Sequence, residues 1–157
     1  MCETRVVTLR EDLSRNEDQA GRLAVRLFRG GRGAPRLAKP LYTLALRVLC
    51  GVDLPLSVQA GPGLRLPHGA RGTIIHPDSK IGSNATIYHG VTLGVDGRGG
   101  VEAPTLGDCV YIGAGAVILG GVHIGAGAKV GANAVVMIDV PEGRTAVGMP
   151  ARIVGGS

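Results

Sequence analysis

Rings are scarce in this sequence: among 157 residues there is no Trp, one Phe and three Tyr. A chain of this length can bury a core as one domain with a small attachment. With so few rings, that core must be built from aliphatic side chains. The three cysteines, Cys2, Cys50 and Cys109, are odd in number and lack paired spacing. Neither a disulfide framework nor a zinc motif is indicated, and a reducing cytoplasm is the expected compartment. No run is apolar enough to span a membrane, and no secretory signal opens the chain. The 27 glycines are too many for a helical domain and lack the three-residue period of collagen.

What is present is a six-residue period. Between Leu106 and Val136 the chain reads LGDCVY, IGAGAV, ILGGVH, IGAGAK, VGANAV. A large aliphatic residue recurs at Leu106, Ile112, Ile118, Ile124, Val130 and Val136, and a smaller one sits at Val110, Ala116, Val122, Ala128 and Ala134. This pattern describes a short strand and a turn, repeated and coiled into a solenoid that buries each aliphatic against those above and below. Upstream, Ile75, Ile81, Ile87 and Leu93 continue it, as do Leu54, Ala60 and Leu66. Two breaks interrupt the count: nine residues separate Leu66 from Ile75, and thirteen separate Leu93 from Leu106. Insertions must leave a solenoid as loops, and such loops concentrate function. The Gly-rich second break predicts a protruding loop over residues 94–105.

Charge divides the chain differently. Residues 1–50 carry ten Lys/Arg against five Asp/Glu, whereas residues 51–157 carry seven of each. The basic part is also the helical one. Leu9, Leu13, Ala20, Leu23 and Leu27, then Leu37, Leu41, Leu44, Val48 and Leu49, recur at helical steps. Two amphipathic helices, joined near Gly30 to Pro35, are therefore predicted over residues 1–50, capping a solenoid over 51–157. Glu11, Asp12, Glu17 and Asp18 interleave the basic residues and base-stacking aromatics are missing, so neither a nucleic acid nor a membrane is the expected partner.

The stretches LRLPHG, IYHGVTLG, YIGAGAVILGGVHIGAGAKVGANAVV and VPEGRTAVGMPARIVG together resemble the catalytic domain of serine acetyltransferases, in the hexapeptide-repeat acyltransferase superfamily. The resemblance covers Asp53 to Val154. It implies a mainly β fold, a left-handed parallel β-helix assembled as a homotrimer or a dimer of trimers, and O-acetyl transfer from acetyl-CoA without a metal. It also implies that His68 is the catalytic base, with Asp53 hydrogen-bonded to its imidazole, and that CoA lies in a groove between subunits along Gly94, Ala114 and Ala132. Lys129, Arg152 and Arg144 are candidates for the nucleotide phosphates. The chain departs from the family at Pro67, where Asp is usual, and at Glu102 and Ala103, where an Arg-His pair reads the acceptor. The expected acceptor is L-serine or a related hydroxy amino acid, with a sugar as the alternative.

The chemistry points the same way. Attack of a hydroxyl on a thioester needs a base and donors for the oxyanion. His68 stands in the turn Pro67-His68-Gly69 at the first break, where it is either that base or a structural turn residue. Asp53 either fixes the imidazole tautomer or caps the junction of helix and first coil. Counting the stretched step as one face puts His68 and His89 in phase on successive coils about 4.8 Å apart. His89 then joins the site or lines a subunit boundary. His76 is read as a turn residue, and His123 is assigned no role. Small residues at Ala114 and Ala132 suit a CoA groove or plain coil packing, and Lys129 a phosphate or a solvated face. A zinc-dependent carbonic anhydrase is disfavoured because the four histidines lack its close pair. A non-catalytic scaffold is the remaining alternative.

Overall fold

In the computed structural model, which describes residues 9–97 and 102–155, the six-residue period becomes three flat faces. One face stacks β1 (Gln59–Ala60), β3 (Lys80–Ile81), β6 (Thr105–Leu106) and β9 (His123–Ile124). A second stacks β2 (Ile74–Ile75), β5 (Thr92–Gly94), β8 (Val117–Leu119) and β11 (Val135–Val136). The third holds β4 (Thr86–Ile87), β7 (Tyr111–Ile112), β10 (Lys129–Val130) and β12 (Thr145–Val147), closed by β13 (Arg152–Val154). Every pairing between these strands is parallel except β12 with β13.

Register shows how the breaks are absorbed. Uninterrupted coils pair residues 18 apart, as Tyr111 with Lys129, which is three sides of six. Across Leu66 to Ile75 the offset is 21, as Arg65 with Thr86, and across the long loop it is 25, as Thr86 with Tyr111. The extra three and seven residues are therefore extruded without disturbing the stacking above or below. Of the expected loop over 94–105, residues 98–101 lie outside the described set.

The large aliphatic positions from Leu106 to Val136 are buried, as are the small positions between them. Upstream, the small position four residues after Ile75 fits poorly. Ser79 occupies a small position, is buried, and its hydroxyl has no hydrogen-bond partner.

The N-terminal part departs from the two helices expected. Three occur among the described residues: α1 (Leu9–Arg15), α2 (Gln19–Gly33) and α3 (Lys39–Ala45), followed by a π-helical turn over Leu46–Cys50. The break after α1 arises because Asp18 caps α2, its carboxylate accepting the Gly21 N–H. Gly30 and Gly31 do not break α2. A Cβ on Gly31 would lie 2.8 Å from Leu56 Cδ2 and Tyr42 Cβ, so the glycine makes room for packing. Phe28 is fully buried, while Leu37, Leu41, Leu44, Val48 and Leu49, taken as an apolar helix face, stay exposed. Buried polar groups tie the helices to the coils: Asn16 accepts the Leu66 N–H at 2.7 Å and donates to the Leu64 carbonyl, and Asp12 accepts the Gly63 N–H while pairing with Arg29 of α2 at 3.2 Å. Among the described residues no helix is long and apolar enough to cross a membrane.

Ser79→Ala removes an unpaired buried hydroxyl and leaves a residue the small position already accepts. Calorimetry should show stability unchanged or raised by up to about 1 kcal/mol. Ile118→Ala, at a fully buried large position, should cost roughly 2–5 kcal/mol.

Candidate active site

The three residues extruded at the first break form a tight turn, Pro67–Ala70, in which His68, Gly69 and Ala70 all have positive φ (56°, 70° and 51°). For His68 and Ala70 this left-handed conformation costs roughly 1–2 kcal/mol each, so the surroundings must impose it. They do so through α2. Asp18, at its N-cap, accepts the His68 N–H at 3.0 Å as well as the Gly21 N–H at 2.5 Å. The Gly69 N–H donates to the Leu66 carbonyl at 3.1 Å, and a Cβ on Gly69 would meet Ala20 of α2 at 3.1 Å. Burial alone would raise the Asp18 carboxyl. The two N–H donors and the nearby His68 outweigh it and hold Asp18 below the usual carboxylate range.

The strand register then builds a column above this turn. Arg65, Thr86, Tyr111 and Lys129 are successive partners on the third face, so three residues on, His68, His89, Ala114 and Ala132 follow one another at a single corner of the prism. Main-chain bonds from Gly115 N–H to the His89 carbonyl and from Asn133 N–H to the Ala114 carbonyl continue the stacking there. The imidazoles of His68 and His89 approach with centroids 5.7 Å apart, nearly edge to face. The sequence count that placed them in phase thus corresponds to a real neighbourhood.

Two tyrosines complete the corner. Tyr88 lies 6.4 Å from His68 and 6.5 Å from His89, and Tyr111 lies 5.4 Å from Tyr88, centroid to centroid. Burial and a hydrogen bond with Tyr88 push the Tyr111 hydroxyl above its ordinary range. The Tyr88 carbonyl accepts from the buried Thr73 hydroxyl at 3.0 Å, which anchors that side of the corner.

Other expected residues stand elsewhere. Asp53 bridges to Ile74 through its backbone, and its carboxylate is taken by Arg47 in three contacts of 2.9–3.1 Å. It makes no hydrogen bond to His68, so the expected Asp53–His68 contact is absent in this arrangement. Gly94 and Glu102 flank the long loop, at the corner between the second and first faces, with Glu102 beside Asp78, Lys80 and Gly121. Lys129 follows Tyr111 on the third face, and Arg152 is exposed on β13 at its end. Arg144 donates to the Gly155 carbonyl at 2.5 Å. His76 accepts the Asp78 N–H at 3.3 Å, in a local turn. No three His, Cys, Asp or Glu side chains converge as a metal-binding group among the described residues.

Known proteins resemble this chain in sequence and in fold. Residues 103–137 match the bacterial transferase hexapeptide (six repeats) family. Serine acetyltransferase of Helicobacter pylori is 44% identical over 119 residues, covering 75% of this chain and 68% of that protein. The chain belongs to the serine acetyltransferase family. It is accordingly an acyltransferase. The soybean family member complexed with serine superposes with a TM-score of 0.80 at 38% identity, over 93% of this chain and 66% of that one. A family structure in complex with CoA gives 0.78 at 35%, over 87% and 58%. The chain thus spans about six to seven tenths of the length of these family members.

Asp18, Tyr88 and Tyr111 were not singled out from the sequence. The tyrosines were within reach of the register arithmetic that paired the histidines. Asp18 was not, because its partner lies 50 residues away across a helix–coil contact. Asp18→Ala should lower stability near pH 7 by about 0.5–2 kcal/mol, the usual value of an N-cap. Because the folded carboxyl titrates below its unfolded value, that contribution is present above the unfolded pKa and is lost as pH falls through the folded one. Thermal scans of wild type and variant should therefore differ at pH 7 and converge on acidification below about pH 4.

Proposed function

We propose that the chain is an acetyl-CoA-dependent O-acetyltransferase acting on a hydroxyl of the serine type, L-serine or a related hydroxy amino acid, with His68 as general base. The observation that carries this reading is the corner column, in which the strained His68 turn and His89 are continued by the small residues Ala114 and Ala132. Strain at a histidine is a mark of functional sites. Small side chains leave a groove whose floor ends at the imidazoles, as an extended thioester arm requires. The family relatives complexed with CoA and with serine support donor and acceptor.

On this reading His68 accepts the acceptor's proton as its oxygen attacks the thioester carbonyl. The C–O bond forms, the C–S bond breaks, and the departing CoA thiolate takes the proton back from the imidazolium. Asp53 favours that imidazolium once it leaves Arg47. The Arg47–Asp53 pair is well exposed, so it is worth roughly 0–1 kcal/mol and is no obstacle to such a turn. Lys129 and Arg152, exposed toward the far end of the third face, meet the nucleotide phosphates.

Gly94 and Glu102 sit at a different corner from His68, and a homotrimer of left-handed prisms reconciles the two. There, one subunit's loop corner meets its neighbour's histidine corner, and the rotation closes at three. Glu102 then faces the acceptor from across the boundary. The exposed Leu41, Leu44 and Val48 suit a further contact between trimers. The enzyme would work in the cytoplasm.

A thiol-release assay with acetyl-CoA and L-serine tests the role of the base. His68→Ala should lower turnover by roughly 10²–10⁴-fold while CoA still binds; undiminished turnover in that variant would refute the mechanism.

A further inference from the structure

The turn that carries His68 differs from the same corner on the later coils. There, one residue per coil is left-handed: Gly90, Gly115 and Asn133 have φ of 69°, 69° and 56°. The residues just before them, His89, Ala114 and Ala132, do not share that conformation, nor do Val91, Ala116 and Ala134 just after. Register sets Gly69 opposite Gly90, so its φ of 70° continues the series. His68 and Ala70 on either side are left-handed as well, which the stacking does not call for. The rotamers open to a side chain depend on its own φ and ψ. Whatever holds this turn therefore sets where the His68 imidazole points.

Two residues of the connection between α1 and α2 hold it. The buried Asn16 accepts the Leu66 N–H at 2.7 Å and donates to the Leu64 carbonyl at 3.1 Å, and Asp18 accepts the His68 N–H at 3.0 Å. Pro67 between them has no N–H to offer. The connection is itself fixed from both sides. Asn16 donates to the Asp12 carbonyl at 2.9 Å, and Arg22 of α2 donates to the Asn16 carbonyl at 2.8 Å. The two carboxylate oxygens of Asp18 divide their work: Oδ1 caps α2 through the Gly21 N–H, and Oδ2 takes the His68 N–H. A helix cap needs only the first.

We propose that Asp18 is a positioning residue for acetyl transfer, its Oδ2 holding the His68 main chain left-handed so that the imidazole is aimed at the acceptor hydroxyl. The inference rests on His68 being the base. Asp18 acts through the backbone and exchanges no proton with the reactants. A general base must stand within hydrogen-bond reach of the proton it takes, and a displacement of about 1 Å costs on the order of 10²-fold in rate. On this account the helical segment is part of the catalytic apparatus as well as a cap on the coils.

The test compares wild type, Asp18→Asn, Asp18→Ser and His68→Ala by thiol release from acetyl-CoA with L-serine and other hydroxy amino acids, beside thermal scans and amide hydrogen exchange. Asn and Ser are good N-caps, but each offers one acceptor oxygen where aspartate offers two. Both Asp18 variants should keep Tm and the KM for acetyl-CoA near wild-type values while kcat falls about 10–100-fold. The His68 amide should exchange faster in both, and the Gly21 amide should stay protected. Wild-type kcat in both variants, with His68→Ala inactive, would overturn the inference and leave the base assignment standing. So would a loss of kcat that appears only as each variant nears its own Tm, which is what a merely structural cap would give. Turnover that persists in His68→Ala would overturn the base assignment and the inference with it. Wild-type protein that acetylates none of these acceptors would overturn both.

Discussion

The parallel main-chain ladder that seats each coil on the one before is the constraint on which the rest of the structure depends. Its spacing is that of any sheet, about 4.8 Å, and its period is set by three six-residue sides. Each rung places an aliphatic over an aliphatic and a corner over a corner. Because the ladder is bonded on every side, an insertion cannot be shared among neighbours and must be pushed out where it occurs. The three extra residues at the first break therefore become one strained turn, held by the N-cap of α2, and the seven at the second become the loop flanked by Gly94 and Glu102. The same stacking carries the His68 corner upward through His89 to two alanines.

Much of this was legible from the sequence because a solenoid translates linear spacing directly into spatial neighbours. The period specifies the buried positions residue by residue, and counting the breaks puts His68 against His89. The limit of that logic is visible in the helical part. There, contacts form between segments with no common period, so neither the interruption at Asn16 and Asp18 nor the tolerance of Gly31 inside α2 followed from pattern. Gly31 looked like a breaker, yet close approach of Leu56 and Tyr42 is what it serves. Asp18 looked like one more solvated acid, whereas its carboxylate holds the turn that carries His68.

Asp53 illustrates a different limit. Spacing relative to His68 follows the family, but the side chain's partner depends on Arg47, six residues away in the π-helical turn, which the family pattern says nothing about. The observed pair is exposed and weak, so the carboxylate's position is set by a small energy difference that substrate binding can reverse. Glu102 is separated from His68 for a topological reason: one prism has three corners, and the two breaks fall on different ones. A site that needs both must be assembled from two chains.

The central claim is that the corner of His68, His89, Ala114 and Ala132 is where the thioester is held. A crystal structure of the protein with CoA tests it most directly. The account predicts a pantetheine arm running along Ala114 and Ala132, with its sulfur at the imidazole of His68 and the loop corner of a neighbouring subunit closing the groove. CoA bound with its sulfur remote from His68, or within a single prism away from that column, would contradict it.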